Sequence, residues 1–407
     1  MKDEALPFRQ MSVYERFCPT CIGWKFCGGA ESAPCRCFQR DKDKKRECGK
    51  CPIICVERPN EVYGDFTYHL NSGLALHKIT LSQPPDLKLP TLIPIRTHEI
   101  KNVEHFSFDW IGIDAKTLFS ARRNQPATLK KHFGSAVTTR EYLKAGDHTD
   151  LITILNGKDD ILESLWAMQR SEVFMKLREI GVCGVTGPTF SITDKMAPES
   201  HNVCMLLRHH RVVHELIGVG LLPIPNVYWR KRGDRLDWVH WLRSSEVHLI
   251  SRDFSRTRFR GTFLRELEGL AEVLGSVERR FHVILVGVGP RNAARALPYL
   301  ISRGHTCSVA TSYPILLAMK GGCGLKFNKQ THQLRLEKHS PKTRIELAKA
   351  NLEEMESYLA WLVDFGNTQP AAKILGTQEL LHRQSFHNYK TGRRSRQAKH
   401  PNQQPKD

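Results

Sequence analysis

The chain has 407 residues, of which 40% are hydrophobic, and its formal net charge is +19. This length allows one large barrel with an appendage, or two domains. No apolar run is long enough to span a bilayer, and the first ten residues, MKDEALPFRQ, lack the apolar core of a signal peptide. We therefore expect a cytoplasmic protein without membrane contact. The positive excess predicts a nucleic-acid partner, DNA or RNA, although a basic tail alone also accounts for it.

Residues 1–60 predict a cysteine-rich metal-binding module, because eight of the 12 cysteines lie there. Two Cys-x2-Cys pairs and the cysteines around them supply enough thiolates for two four-ligand sites, and a cytosolic chain rarely uses such clusters for disulfides. A segment with so few apolar residues also needs metal binding in order to fold. The predicted ligands are Cys18, Cys21, Cys27, Cys35, Cys37, Cys48, Cys51 and Cys55.

The cysteine spacing leaves the metal open between zinc and a [4Fe-4S] cluster. The pairs CPTC at 18–21 and CGKC at 48–51 resemble zinc knuckles. The dense run of Cys48, Cys51 and Cys55, with prolines after Cys18 and Cys51, favours iron–sulfur. We favour zinc in a structural role, because a site with four thiolates has no open position for a substrate.

Residues 61–90 are interpreted as a connector and residues 91–325 as a (β/α)8-like barrel. Short β-rich runs alternate there with helix-sized segments, which predicts parallel strands covered by helices. Eight runs is the number that closes such a barrel, and an open doubly wound sheet is the alternative. The predicted strands are Leu92–Ile95, Trp110–Asp114, Leu151–Leu155, Val182–Thr186, Leu222–Val227, Val247–Ile250, Val283–Val286 and Cys307–Ala310.

The clearest unit is the stretch from 183 to 229, which has the pattern strand, helix, strand. Apolar residues at spacings of three and four predict a helix over Asn202–Ile217. Two strands joined by a helix must be parallel, because a parallel pair needs a long crossover. Similar patterns predict helices at Asp159–Ile180, Thr262–Leu274 and Arg291–Ser302.

Two segments follow the predicted barrel. Residues 326–380 are expected to form a helical extension, with a helix over Thr343–Phe365 that has one buried side. Residues 381–407 carry few apolar and many basic side chains, which predicts a disordered basic tail.

In such a barrel the functional residues lie in the loops that follow the strands. Asp253 and Asp114 are candidate acid–base or nucleophilic groups, because two carboxylates facing one cavity can divide these roles. His98 is a candidate catalytic imidazole. The alternatives are that Asp253 caps the next helix or pairs with Arg256, and that His98 is solvated or part of the core.

A glycine-rich turn after the seventh strand predicts a phosphate site. Glycines let backbone amides approach a phosphate, and barrels often bind phosphate near strands seven and eight. A plain tight turn is the alternative. The predicted phosphate-binding residues are Gly287, Gly289, Arg291 and Ser312.

A stretch after the fifth strand combines basic and aromatic side chains, a combination that contacts phosphates and stacks on bases. The alternative is that the nearby Trp238 and Trp241 pack against the barrel. The residues predicted to contact nucleic acid are Tyr228, Trp229, Arg230, Lys231, Arg232 and Arg252.

Residues 90–280 resemble a family of bacterial and phage-encoded proteins known only as a domain of unknown function. The likeness rests on Gly187–Ser191, where a strand ends, and on Ile224–Trp229, a proline-containing aromatic turn; Thr189 stands where that family carries an acidic residue. The resemblance implies a barrel-like fold and a mobile-element origin. A weaker likeness to the tRNA-guanine transglycosylases implies a zinc-containing barrel that exchanges a base in nucleic acid.

Three functions fit these patterns. The first is a metal-stabilised barrel enzyme that acts on nucleic acid or a nucleotide. The second is a non-enzymatic DNA- or RNA-binding protein with a structural zinc module, and the third is an iron–sulfur protein with redox chemistry. A barrel mouth lined by polar groups would favour the enzyme, whereas a mouth filled by apolar side chains would favour the binding protein.

Overall fold

The computed structural model describes residues 71–84, 87–96, 108–120, 126–157, 159–167, 170–192, 199–257, 260–337 and 342–369. The predicted cysteine module at 1–60 and the predicted basic tail at 381–407 lie outside these residues, and so does His98. The described part of the chain is the barrel and the segments that pack against it.

Eight parallel strands surrounded by helices form a nearly closed barrel, which confirms the predicted (β/α)8-like fold. Neighbours in the sequence are neighbours in the sheet, and the last strand pairs with the first. The strands are β1 (Leu92–Arg96), β2 (Trp110–Asp114), β3 (Asp150–Ile154), β4 (Val182–Thr186), β5 (Leu222–Ile224), β6 (Leu249–Asp253), β7 (His282–Val286) and β8 (Thr306–Thr311).

The seam between β5 and β6 is joined by a short set of bonds beyond the end of β5. The Val227 N–H donates to the Ser251 carbonyl at 2.9 Å, and the Ser251 N–H donates to the Pro225 carbonyl at 2.8 Å. Asn226 and Ser251 thereby form a parallel bridge. These bonds bring the two edges of the sheet together, which an open doubly wound sheet would not do.

The strands are apolar on both faces because the barrel interior covers one face and the helices cover the other. Ile93, Ile152, Ile224 and Ile284 belong to a cluster that fills the interior. Residues that alternate with them, such as Ile113, pack under the helices instead. Side chains of successive residues point to opposite faces, so the strand ends present inward-facing residues to the mouth.

The five predicted helices are present, the first of them as two helices, α3 and α4. Four further helices in the described ranges were not predicted: α1, α2, α6 and α9. The helices are α1 (Ala115–Leu118), α2 (Ala136–Leu143), α3 (Asp159–Ala167), α4 (Arg170–Glu179), α5 (Glu199–Gly218), α6 (Arg232–Ser244), α7 (Arg260–Val277), α8 (Pro290–Ile301), α9 (Tyr313–Gly321) and α10 (Arg344–Thr368). None of the helices in the described ranges combines the length and apolar character of a membrane span.

The C-terminal segment packs on the barrel helices. After α9 comes the hairpin of β9 (Gly324–Asn328) and β10 (Gln333–Glu337), and then α10. The buried Asn351 of α10 donates to the carbonyls of Pro314 and Cys323, both at 3.0 Å, and accepts from the Leu325 N–H at 2.6 Å. One side chain thus ties α10 to α9 and to the hairpin.

Candidate active site at the barrel mouth

A cleft of about 560 Å³ lies at the carboxyl ends of the strands. Its lining comes from the ends of β1, β2 and β8, from the loops after β3, β6 and β7, and from α9. The residues that form it are Ile95, Asp114, Asn156, Ser255, Gly287, Gly289, Ala310, Thr311, Ser312, Tyr313, Leu316, Leu317, Lys320 and Gly321. The mouth is therefore open and carries convergent polar groups, which is the arrangement expected of a barrel enzyme.

Asp114 is the only carboxylate among the described residues that line this cleft. It follows Trp110 and Gly112 at intervals of two on β2, so it points toward the barrel interior. Its Oδ1 accepts a hydrogen bond from the Thr117 N–H at 2.7 Å and so caps α1. That bond holds the carboxylate in one orientation at the mouth.

Basic and phenolic groups surround Asp114. Burial lowers the pKa of Lys130, an effect that the Asp114 carboxylate partly offsets. Burial lowers the pKa of Arg96 at the end of β1 to about 10. Burial also raises the pKa of Tyr142; the charge of Arg96 opposes this increase, and the charge of Asp114 adds to it. Tyr142 is therefore a protonated hydroxyl at neutral pH, and the charge of Asp114 acts on both Lys130 and Tyr142.

Asp253 is the last residue of β6 and is half-buried. Its carboxylate accepts from the Ser255 N–H at 2.8 Å, and its own N–H donates to Asn226 Oδ1 at 3.0 Å. Neither alternative predicted for it occurs: α7 begins only at Arg260, and Arg256 pairs with Asp159 at 2.7 Å. Asp253 orders the loop that carries Ser255 into the cleft, and it is not itself part of the lining.

Asn226 connects three strand ends at the barrel mouth. It is 1% exposed, and its Nδ2 donates to Thr189 Oγ1 at 2.9 Å while its Oδ1 holds the Asp253 N–H. A buried amide that follows a short strand is the only signal the sequence offers for this role. Asn226 therefore positions the loops after β4 and β6 relative to each other.

The predicted glycine turn does contribute to the cleft. Gly287 has φ of +71°, and a Cβ there would lie 2.8 Å from the Ser255 backbone. Gly289 is the N-cap of α8 and has no side chain to block the approach of a ligand. Ser312 joins them from β8. Arg291, the fourth predicted phosphate ligand, is exposed and lies outside the lining.

Three residues of the basic, aromatic stretch are engaged within the protein. Tyr228 is buried, and the Arg230 side chain is 3% exposed and pairs with Asp234 at 2.7 Å. Arg252 is buried, donates to the Val227 carbonyl and pairs with Glu266. These three side chains are buried and form hydrogen bonds or ion pairs within the protein, so the described structure does not present them to a nucleic acid.

The remaining residues of that stretch divide between packing and exposure. Arg252 lies 4.2 Å from the centroid of the Trp229 ring, which is partly buried. Lys231 and Arg232 are exposed at the start of α6. Trp238 and Trp241 are buried, and their indole N–H groups donate to Tyr228 and Ile79 carbonyls, so the packing alternative is confirmed for both.

The predicted metal ligands lie outside the described residues. Within the described ranges, no group of three or more His, Cys, Asp or Glu side chains could hold a metal ion. Zinc and iron–sulfur both remain predictions from the cysteine spacing.

A comparison of the chain with protein families gave no match, and a comparison with curated proteins gave none.

Proposed function

We propose that the protein is an enzyme that binds a small phosphate-bearing substrate at the barrel mouth. The observation that carries this proposal is the convergence of Asp114, Asn156, Ser255 and the Gly287–Gly289 turn in one cleft. Small-molecule sites have volumes of roughly 300–1,000 Å³ and a few well-placed polar groups, and this cleft fits both criteria.

Asp114 is assigned the acid–base role. Its carboxylate faces the cleft and is held by the Thr117 N–H, so a substrate group would meet it in a defined direction. A general base must lie within hydrogen-bond reach of the proton it removes, and geometry is the first criterion. Asp253 is assigned a positioning role instead, because it orders the Ser255 loop.

The phosphate is assigned to the turn after β7 and to Ser312 at the end of β8. Backbone N–H groups can approach a phosphate closely where no side chain intervenes, and Gly289, where a Cβ would meet nothing within 4 Å, provides that space. Gly287 shapes the turn by packing against Ser255. Lys320 lines the same cleft and adds a positive charge. The cysteine module at 1–60 is assigned a structural zinc role, which rests on the spacing of its thiols.

The test is turnover. The full chain is incubated with a panel of sugar phosphates and nucleotides, and products are detected by mass spectrometry. Asp114→Asn should abolish product formation and keep the fold, because asparagine caps a helix as well as aspartate does. The matched control is Asp109→Asn, at the exposed opposite end of β2. Equal turnover in Asp114→Asn and wild type would refute the assignment.

A second candidate function is DNA or RNA binding without catalysis, favoured by the net charge of +19. This function requires an affinity that falls steeply with salt, because each neutralised phosphate releases counterions. Fluorescence anisotropy with a labelled oligonucleotide measures this affinity, at roughly 50 and roughly 200 mM salt. An affinity that does not change between them would exclude it.

A further inference from the structure

Helix α9 presents an unusual face to the cleft. Tyr313, Leu316, Leu317 and Lys320 lie on one stripe, at positions i, i+3, i+4 and i+7, and all four line the cleft. The opposite side of the helix is buried in the core through Pro314, Ile315 and Ala318. The helix is thus apolar on two sides, and one of these sides borders an open cavity.

This apolar wall continues onto the strands. Ile95 of β1 and Ala310 of β8 line the cleft next to α9. Leu316 and Leu317 are partly buried, so part of each side chain is left facing the cavity. A helix face that meets only water is normally polar. An apolar wall opposite polar groups is instead the lining of a site that holds a ligand with an apolar part.

The polar groups determine what the rest of the ligand must be. The glycine turn and Ser312 lie where the stripe begins, and Lys320 lies at its other end, about 10 Å away along the helix axis. Asn156 offers an amide, which both donates and accepts hydrogen bonds, as the edge of a heterocycle requires. The matching ligand has a flat ring with polar edges and an anionic group.

We propose, on the basis of the function proposed above, that the ligand is a nucleoside monophosphate. Its base packs on Leu316 and Leu317, and its phosphate lies at the Gly287–Gly289 turn. The volume of about 560 Å³ suits one such molecule and not a nucleic-acid polymer.

The experiment is calorimetric titration of the full chain with inorganic phosphate, ribose 5-phosphate and each of the four ribonucleoside monophosphates. At least one mononucleotide should bind more tightly than ribose 5-phosphate. Leu316→Ala and Leu317→Ala, made singly, should each weaken the binding of that mononucleotide by about 10-fold, because each substitution removes apolar surface on which the base packs. Neither variant should change the affinity for ribose 5-phosphate.

Two controls separate packing in the cleft from a general loss of structure. Leu316→Met keeps the apolar wall and should retain the mononucleotide affinity. Leu236→Ala removes a leucine that is 52% exposed on α6, outside the cleft, and should have no effect.

The outcomes distinguish this inference from the proposed function. If ribose 5-phosphate binds as tightly as every mononucleotide, or if the alanine variants leave the affinity unchanged, the inference is wrong and the phosphate site stands. If neither ribose 5-phosphate nor any mononucleotide binds, the proposed function itself is wrong.

Discussion

Gly287 combines two constraints at one residue of the mouth. Its φ of +71° lies in the left-handed region, and a Cβ would meet the Cα, Cβ and N atoms of Ser255 at 2.8 Å. A left-handed conformation costs a residue with a side chain about 1–2 kcal/mol, and overpacking adds about 1–3 kcal/mol. Because the atoms in the way include backbone, they cannot rotate aside.

Gly287→Ala should therefore lower the free energy of unfolding by about 2–5 kcal/mol and should displace the Ser255 loop from the cleft. Urea denaturation followed by circular dichroism measures the first effect. Gly275→Ala in α7 is the matched control, because a Cβ there meets nothing within 4 Å. If Gly287→Ala unfolds at the same urea concentration as wild type, the close approach of the two loops is not rigid.

His209 is a buried residue whose charge state links stability to pH. Its Nδ1 lies 2.9 Å from the Pro188 carbonyl, and its ring occupies the space where a Cβ on Gly187 would lie. Burial lowers the pKa of His209 to about 4 and that of the adjacent His210 to about 3. Both rings are therefore neutral in the folded protein at neutral pH.

The sign of the pH effect follows from these lowered pKa values. The unfolded chain, with histidine pKa values near 6.5, binds more protons than the folded chain between about pH 4 and 6.5. The stabilisation is complete above pH 6.5 and is lost as the pH falls. Between pH 6.5 and 5, His209 alone should account for a loss of about 2 kcal/mol.

Unfolding free energies at pH 7 and pH 5 test this in wild type and in His209→Gln. The variant should be less stable at pH 7 and should lose less stability on acidification. His240→Gln, at an exposed position of α6, should behave as wild type does. An unchanged pH dependence in His209→Gln would assign the acid sensitivity to other groups.

At the scale of secondary-structure elements, α10 is part of the barrel's outer layer. The sequence pattern predicts the helix but places it in an extension beyond residue 325. Gly366 lets α10 approach α8 closely, because a Cβ there would lie 2.9 Å from Pro298 Cα. Asn351 forms hydrogen bonds with three backbone groups, namely the Pro314 and Cys323 carbonyls and the Leu325 N–H.

Asn351→Ala should destabilise the protein by about 2–4 kcal/mol, because buried backbone groups lose their partners. Thermal unfolding should show one transition at a lower temperature, since the helix and barrel share a core. Glu353→Ala, at an exposed position of the same helix, is the control. A separate early transition for α10 would instead make it an independent extension.

The barrel strands are the elements that the sequence predicts best, because a short apolar run between helices has one simple physical explanation. Most of the strands are apolar runs buried on both faces, so their number and order are visible without a structure. β6 is shifted toward the C-terminus relative to its prediction, because Arg252 and Asp253 are polar and yet pair with Leu285 and Val286 of β7. α9 escapes prediction because apolar residues on two sides obscure its helical periodicity.

The sequence also predicts part of the candidate site. Asp114, Gly287, Gly289 and Ser312 meet in the cleft because residues after parallel strands always converge at one end of a barrel. Arg230 and Arg252 were predicted to contact nucleic acid, but they pair with Asp234 and Glu266. A charge pattern in the sequence cannot show whether an arginine is solvated or paired with a carboxylate on another element. Partners of this kind are set by tertiary packing.

At the scale of the whole molecule, the cysteines divide into two chemically different groups. Four lie singly in the barrel and are free thiols. Burial raises the pKa of the Cys183 thiol to about 12 and raises that of Cys307 as well, so both stay protonated and are poor metal ligands. The predicted metal is therefore expected at the eight cysteines of residues 1–60 and not at these two buried thiols.

Protein purified without oxygen should contain one or two zinc ions per chain if each zinc takes four thiolates, and it should be colourless. Cys18→Ser with Cys21→Ser should lower the zinc content measured by elemental analysis, whereas Cys323→Ser in the barrel should leave it unchanged, because Cys323 stands alone. A brown protein with iron and sulfide would move the assignment to a cluster and bring redox chemistry into consideration. Equal metal content in all variants would show that these cysteines are not the ligands. If the metal stabilises the fold of residues 1–60, a strong chelator that removes it should unfold them.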